Sequence, residues 1–134
     1  MKEYVTDTHP LVWYIEDNKR LSRAASRVFA EAETENAVIF VPSIVFVELV
    51  FLMQRQRLPR SVVEEAFALA EQNESEIRAV PLDIAIAREV ASFGPAAIPE
   101  MPDRIIAATA RALNLPLVTA DSVIAESKLV QVIW

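Results

Sequence analysis

The sequence of 134 residues contains no cysteine, one glycine and one histidine, and these shortages exclude several kinds of chemistry. Without cysteine there is neither a disulfide nor a thiolate metal site, which fits a reducing cytoplasm. The only histidine, His9, stands next to Pro10, so we expect it at a helix start or on the surface, and no serine–histidine pair is placed to act as a nucleophile. The hydrophobic fraction of 53% and the single glycine predict one compact, helix-rich domain over residues 1–134.

The sequence also lacks an apolar N-terminal stretch suited to a signal peptide and an uninterrupted apolar run long enough to cross a membrane. A spanning helix needs about 20 predominantly apolar residues. The longest apolar run, Ala37–Met53, is interrupted by Pro42, Ser43 and Glu48. A buried strand, a turn and a buried helix explain this run better, so we expect a soluble, cytoplasmic protein without a membrane partner.

Positive charge is scarce as well, because the net charge is −6. This balance argues against broad electrostatic capture of nucleic acid. Two basic clusters stand out nevertheless, and they comprise Lys19, Arg20, Arg23 and Arg27 in one and Arg55, Arg57 and Arg60 in the other. A solvated helix face is the favoured interpretation of each cluster, and a rim that guides phosphate groups is the alternative.

Predicted strands and helices alternate along the chain, which indicates an α/β fold with parallel strands and right-handed crossovers. The strands are expected at Tyr4–Thr6, Ala37–Val41, Ile77–Pro81, Leu117–Thr119 and Val130–Ile133. The helices are expected at Leu11–Ile15, Ser22–Ala32, after a capping Ser43, at Ser61–Gln72, at Ile84–Phe93 behind a capping Asp83, and at Asp103–Leu113, with Lys128 in one further helix. The stretch Gly94–Pro102, rich in helix-breaking residues, is expected to be a loop.

Four acids, Asp7, Glu48, Asp103 and Asp121, lie at or near predicted strand-to-helix junctions. Such junctions gather along one edge of a parallel sheet, where ligands usually bind. Three of the acids also have ordinary explanations. Asp7 and Asp121 could cap helices, and Asp103, in the first turn of a helix, would interact favourably with the helix dipole. Four clustered carboxylates would need a counter-ion, and a hard divalent cation such as magnesium or manganese prefers oxygen ligands.

Glu48 is the acid with the weakest ordinary explanation. Its helical neighbours three and four positions away are all apolar, namely Ile44, Val45, Phe51 and Leu52. A buried carboxylate without a partner is costly and becomes either protonated or paired. We therefore expect Glu48 to project into a metal pocket, the alternative being that it reaches solvent on the face of Arg55.

Threonines accompany the acids. Thr119 precedes Asp121 by two residues, and it could orient Asp121 or a metal-bound water. Thr6 and Thr8 flank Asp7 in a similar way. Threonine is common in strands for reasons of propensity alone, so this explanation remains open for all three.

These motifs resemble the PIN-domain nucleases, and within them the VapC toxins of toxin–antitoxin pairs. The resemblance is carried, in order and spacing, by VTDTHPLVWYIED, PSIVFVELVF, DRIIAATARALNLPLVT and TADSVI, and it covers essentially the whole chain. It implies a PIN-like three-layer α/β/α sandwich with a central four- to five-stranded parallel sheet. Asp7, Glu48, Asp103 and Asp121 fall on the family's acidic quartet, and Thr119 on its supporting hydroxyl position.

The sequence departs from the family pattern in two places. Asn114 stands where a glycine commonly precedes the Leu-Pro-Leu strand, and asparagine can form the same helix end. The stretch Gly94–Met101 lacks the histidine often found before the third acid, so contacts from that loop are not carried over.

The resemblance implies a metal-dependent endoribonuclease toxin that uses Mg²⁺ or Mn²⁺, forms a homodimer and is inhibited by a cognate antitoxin. Asp7 and Asp103 would be the central metal ligands, with Glu48 and Asp121 in support. Cleavage by water would leave a 5′-phosphate and a 3′-hydroxyl. A catalytically silent PIN-like protein-binding module and a nuclease outside toxin–antitoxin systems are the alternatives.

Other acid-using folds fit less well. A phosphoacceptor receiver domain needs a lysine after its last strands, and a phosphatase of the DxD type needs an acid where His9 stands. The helix after Ser43 is apolar on every side, so part of it is expected in a protein interface. For the RNA, single-stranded or loop segments are favoured, because their unstacked bases are accessible to side chains. Residues that could contact it are Trp13, Tyr14, Arg20, Arg23, Arg57 and Arg104, although core packing is favoured for the two aromatic residues.

Overall fold

Five parallel strands form the centre of the protein, whose residues 1–134 are all described by a computed structural model. The sheet has the order β3-β2-β1-β4-β5. The strands are β1 (Lys2–Thr6), β2 (Ala37–Pro42), β3 (Ile77–Val80), β4 (Leu117–Val118) and β5 (Val132–Ile133). Helices complete the three-layer α/β/α arrangement, so the predicted PIN-like sandwich is confirmed.

Seven helices connect and flank these strands. They are α1 (Thr8–Ile15), α2 (Arg23–Glu33), α3 (Ser43–Gln54), α4 (Arg60–Glu71), α5 (Ile84–Val90), α6 (Met101–Leu113) and α7 (Ser122–Ser127). None of them has both the length and the apolar character needed to cross a membrane. The apolar run Ala37–Met53 divides into strand β2 and helix α3, as predicted, but without the expected turn between them.

Strand β1 is the central strand, and the strand order of the sheet reverses there. From β1 the chain adds β2 and β3 on one side, and it later places β4 and β5 on the other side. Val5 pairs with both Phe40 of β2 and Leu117 of β4. Ligand sites of open parallel sheets lie outside the carboxyl ends of the strands at such a reversal. The residues that follow β1 and β4 are therefore the ones to examine for a site.

The core forms where apolar strand residues meet the inner faces of the helices. Ile39 and Val41 of β2 have no exposed surface, as expected for a strand covered on both sides. Helix α6 places Ile106 and three alanines of the segment 106–110 in the core, all fully buried. Small side chains let α6 approach the sheet closely, and this fixes the position of its first turn.

Several predicted boundaries were wrong in detail. Ser43 does not cap α3 but is its first residue, and its Oγ accepts a hydrogen bond from the backbone N–H of Leu82, at 3.2 Å. Helix α5 ends at Val90, before the predicted end at Phe93. Helix α6 begins at Met101, before the predicted start at Asp103, because Pro102 is tolerated in a first helical turn. Lys128 lies beyond α7 with a left-handed backbone (φ 58°), although it was expected inside a helix.

Candidate functional site

A cleft of about 390 Å³ opens beyond the carboxyl ends of β1 and β4, at the reversal of the sheet. We call it the acidic cleft. Its lining residues are Asp7, Thr8, His9, Trp13, Glu48, Asp103, Ala120 and Asp121. All four acids that the sequence predicted thus face one space, although they come from four separate segments of the chain. No lysine or arginine lines the cleft, so the acids have no strong cationic partner within it.

Asp7 is the most buried of the four acids, with 8% of its surface exposed. It caps α1 through Oδ1, which accepts a hydrogen bond from the backbone N–H of Thr8 at 2.7 Å. Its Oδ2 accepts a hydrogen bond from the Thr119 hydroxyl at 2.6 Å. Burial raises the pKa of Asp7, and the two hydrogen bonds oppose this increase. The helix-cap interpretation and the cleft interpretation of Asp7 are therefore both correct.

Thr119 lies beneath the cleft with 1% of its surface exposed. Its hydroxyl donates to Asp7 and accepts from the backbone N–H of Asp121 at 3.0 Å. The contact with Asp121 agrees with the expectation that this hydroxyl orients Asp121, although it holds the backbone of that residue. The contact with the Asp7 carboxylate was not expected, and through it one side chain joins the junctions after β1 and β4.

Glu48 reaches the acidic cleft from the middle of α3, and it is half-buried. Its Oε1 accepts a hydrogen bond from the Thr8 hydroxyl at 2.7 Å. Burial raises the pKa of Glu48, the Thr8 hydrogen bond lowers it, and the negative charge of Asp7 raises it again. The position beside Arg55 that was considered as an alternative is not the one observed.

Asp103 stands in the first turn of α6, where neither of its oxygens accepts a hydrogen bond or forms an ion pair. Burial raises its pKa to about 7, and the charges of Asp7, Asp121, Glu48 and Glu100 add to the effect. A favourable helix dipole does not offset these costs. Asp103 is the one of the four acids whose carboxylate accepts no hydrogen bond, since Asp7, Glu48 and Asp121 each accept at least one.

Asp121 caps α7, because its Oδ1 accepts hydrogen bonds from the backbone N–H groups of Val123 and Ile124, at 2.8 and 3.1 Å. Its second oxygen accepts no hydrogen bond in the structure. One oxygen of Asp121 thus holds the helix start, and the other remains available in the cleft.

A sequence model of the PIN domain family matches residues 4–128. The chain belongs to the PIN domain family. PIN domains are nucleases that generally use divalent metals, which accounts for a cleft lined by carboxylates. No curated protein matches the chain in sequence.

Solved structures with the same fold come from toxin–antitoxin complexes. They include VapBC2 from Rickettsia felis bound to a promoter DNA fragment (16% identity, TM-score 0.72), covering 97% of this chain and 96% of that chain. FitAcB from Neisseria gonorrhoeae gives 20% identity and a TM-score of 0.66, covering 96% of this chain and 95% of that chain. A toxin–antitoxin complex from Klebsiella pneumoniae gives 18% identity and a TM-score of 0.59, covering 89% and 87%. At these identities the likeness concerns the fold.

The donor set of this PIN domain fits a hard divalent cation. Carboxylate and hydroxyl oxygens are the ligands that magnesium and manganese prefer, and Asp103 has no other partner. As the side chains lie, however, no three of the histidine, aspartate and glutamate residues are close enough to surround one ion. Binding therefore requires these side chains to move closer together. The negative carboxylates repel one another, and the positive charge of the ion would offset that repulsion.

Thr8 is the cleft residue whose contribution the sequence did not identify. Its hydroxyl donates to Glu48 and its backbone N–H donates to Asp7, so it holds two acids at once. The sequence signal was its position directly after Asp7, where propensity alone was an equally good explanation. Its partner Glu48 lies 40 residues away in the chain, and only the fold brings the two together.

Proposed function

We propose that this PIN protein is a metal-dependent endoribonuclease that acts as a toxin and is held inactive by an antitoxin. The observation that carries the proposal is the convergence of four carboxylates on one cleft at the reversal of the sheet, with Asp103 lacking any partner. We assign Asp7 and Asp103 as the central ligands of Mg²⁺ or Mn²⁺, supported by Glu48 and Asp121. The family connection supports phosphodiester hydrolysis as the reaction.

We infer that the side chains of this chain hold and orient the reacting groups and that water is the nucleophile, because neither a cysteine nor a serine lines the cleft. Thr119 and Thr8 keep the Asp7 carboxylate in one orientation, and Thr8 does the same for Glu48. A divalent cation bound to these acids would activate water and offset the charge of the leaving oxygen. The products would carry a 5′-phosphate and a 3′-hydroxyl.

The partners belong to the same proposal. The structural relatives are toxin–antitoxin complexes, which supports an antitoxin for this chain as well. A cleft of about 580 Å³ runs beside α1 and shares Trp13 with the acidic cleft. Tyr14, Leu21 and Leu69 give this larger cleft apolar surface suited to a peptide segment. A segment bound there would lie next to the acids and could hinder access to them.

The experiment that tests the proposal is cleavage of mixed cellular RNA by the purified protein, in magnesium, in manganese and in EDTA, with the ends sequenced. Asp7→Asn removes one charge and nearly preserves shape, and it should abolish the metal-dependent cuts. Asp83→Asn is the matched control, because it removes the same charge from an exposed helix cap where asparagine serves equally well.

Three outcomes would contradict the proposal in whole or in part. Equal cleavage by wild type and Asp7→Asn would remove the acidic cleft from the reaction. The absence of metal-dependent cuts on any RNA, from folded protein without antitoxin, would favour the catalytically silent binding module instead. Cleavage by a protein that binds no antitoxin would leave a nuclease outside toxin–antitoxin systems.

A further inference from the structure

A third cleft, of about 330 Å³, adjoins the acidic cleft and shares His9 and Trp13 with it. We call it the arginine cleft, because Arg20 and Arg57 line it. Their positive charge is opposite to that of the neighbouring acids. Leu52 and Leu58 contribute apolar surface to the same cleft. The two basic clusters of the sequence thus each place one arginine in a single cleft beside the acids.

The backbone N–H of each arginine forms a hydrogen bond in the segment that follows a helix. Arg57 follows α3, and its N–H donates to the carbonyl of Leu52 at 2.8 Å while Gln56 takes a left-handed conformation (φ 59°). Hydrogen bonds of this kind terminate a helix in one geometry. Arg20 follows α1, and its N–H donates to the Asn18 side chain at 2.9 Å. Each guanidinium therefore extends from a defined point, although the side chains themselves are exposed.

Neither guanidinium has a partner within the protein, since Arg20 and Arg57 form no ion pair and no side-chain hydrogen bond. Glu16 also lines the arginine cleft but lies beyond ion-pair distance of both. The contrast with Arg104 is informative, because its guanidinium donates to the carbonyl groups of Pro95 and Ile98 and so holds a loop. Arg20 and Arg57 retain their hydrogen-bonding capacity for an external anion, and planar guanidinium groups suit phosphate oxygens.

Aromatic rings form the boundary between the two clefts. The rings of His9 and Trp13 lie 5.6 Å apart, and Trp13 and Trp134 lie 5.7 Å apart. His9 is exposed, and Trp134 is 40% exposed. Exposed aromatic faces beside a positive groove are the usual combination for binding single-stranded nucleic acid, because every base offers a face for stacking.

We propose that the arginine cleft binds the nucleotide next to the cleaved bond of single-stranded RNA, with Arg20 and Arg57 on its phosphate and His9 and Trp13 against its base. The inference rests on the proposed function, since the scissile phosphate is taken to lie among the acids. A net charge of −6 makes such a local positive site necessary for an anionic substrate. Single-stranded RNA is required, because a paired base has no free face for an aromatic ring.

The test compares the double variant Arg20→Gln/Arg57→Gln with the control Arg78→Gln/Arg88→Gln. Both change the net charge equally, and the control arginines lie on β3 and α5 outside both clefts. Binding of a fluorescent single-stranded oligoribonucleotide is measured in EDTA over a salt series, and kcat and KM are measured in magnesium. The Arg20/Arg57 substitutions should raise Kd and KM about tenfold and leave kcat nearly unchanged. They should also reduce the salt slope, which is the change of log Kd with log salt concentration, by about one for each lost phosphate contact. The control should stay close to wild type.

A second comparison examines the aromatic boundary, with melting temperatures recorded to exclude misfolding. Trp13→Phe should keep most of the RNA affinity, whereas Trp13→Leu should lose about tenfold, as expected for one lost base stack. His9→Ala should weaken binding of the single strand and leave binding of a duplex unchanged. Equal affinities for Trp13→Phe and Trp13→Leu would overturn the stacking part of the proposal.

The outcomes separate this inference from the proposed function. If wild type cleaves RNA and the two double variants behave alike in Kd, KM and salt slope, the arginine cleft is not a substrate site and the nuclease stands. If wild type cleaves nothing but the Arg20/Arg57 variant alone loses RNA affinity, the cleft binds RNA and the nuclease proposal fails. Loss of affinity in both double variants to the same degree would reduce the effect to net charge and overturn the inference.

Discussion

Thr119 shows how much of the site depends on one buried hydroxyl group. It donates to Asp7 and accepts from the N–H of Asp121, so replacing it with an apolar side chain of similar shape leaves a buried carboxylate oxygen and a backbone N–H without partners. We expect Thr119→Val to lower the free energy of unfolding by about 1–3 kcal/mol. Urea denaturation of metal-free protein measures this. Thr119→Ser retains the hydroxyl and should recover most of the loss, so equal stability of the two variants would contradict the assigned contacts.

Asp103 should make the stability of the metal-free protein depend on pH. Its pKa is about 7 in the folded protein against an ordinary value of 3.8, so between these values the folded state holds a proton that the unfolded chain has released. The contribution of this carboxyl to stability is therefore greatest at acid pH and declines as the pH rises towards and through 7. The pKa values of Asp7 and Glu48 are raised by burial too, and they act in the same direction.

The measurement is the melting temperature in EDTA across this pH range. Wild type should lose more stability with rising pH than Asp103→Asn, which cannot ionise, and Asp83→Asn should follow wild type. Magnesium should raise the melting temperature of wild type more at alkaline than at acid pH, because a cation competes with the proton for the same oxygens. Parallel pH profiles for wild type and Asp103→Asn would show that Asp103 is not the titrating group.

The C-terminal end of α6 restricts which residue types are tolerated at position 114. Asn114 adopts a left-handed conformation (φ 55°, ψ 46°), and the N–H of Leu115 donates to the carbonyl of Ala110 at 2.9 Å. Alanine at such a position is disfavoured by about 1 kcal/mol, whereas glycine adopts it freely. We therefore expect Asn114→Ala to destabilise the protein by about this amount in urea denaturation. Asn114→Gly should be neutral or slightly stabilising, and a larger loss for glycine than for alanine would contradict this explanation.

Helices and their ends were predictable where neighbouring residues determine them. They were less predictable where a contact with a residue far away in the sequence determines them. The left-handed end at Asn114 and the capping of α5 by Asp83 follow from neighbouring residues, and both are confirmed. The hydroxyl of Ser43 was assigned to a helix cap, but it contacts Leu82, 39 residues away. The same limit applies to Thr119, whose partner Asp7 is 112 residues away, and no sequence pattern specifies such a pair.

At the scale of the whole molecule, the order of the strands decides which acids meet. The alternation of strands and helices predicts a parallel sheet, and the junctions predict acids along its edge. The alternation does not specify that β4 pairs with β1, which is what joins Thr119 to Asp7 and opens the cleft at the reversal. The motifs, through the family resemblance, supplied the convergence that local patterns could not. The arginine cleft had no such motif, because Arg20 and Arg57 come from separate clusters.

The family resemblance implies a homodimer, and an apolar stripe on α3 leads us to propose where two copies of the chain would associate. Val47 and Phe51 follow Ser43 at intervals of four residues, so the three share one helix face, and the contact of Ser43 with Leu82 extends that face to the start of α5. The exposed fractions are 47% for Val47, 55% for Phe51 and 48% for Leu82. Phe46 and Leu49 of the same helix lie in the core, so only part of this apolar helix is free for an interface.

We expect wild type to sediment as a dimer at micromolar concentration and Phe51→Glu to sediment as a monomer. A carboxylate at position 51 would be solvated in the monomer, but it would lose that water, without a partner, in an apolar interface. Val123→Glu is the matched control, because Val123 is 45% exposed on α7 and lies outside the stripe, so its dimer should persist. Since both substituted positions are exposed, the melting temperature of each monomer should change little. A wild-type protein that remains monomeric at micromolar concentration, or a Phe51→Glu dimer as stable as that of wild type, would exclude this face as the interface.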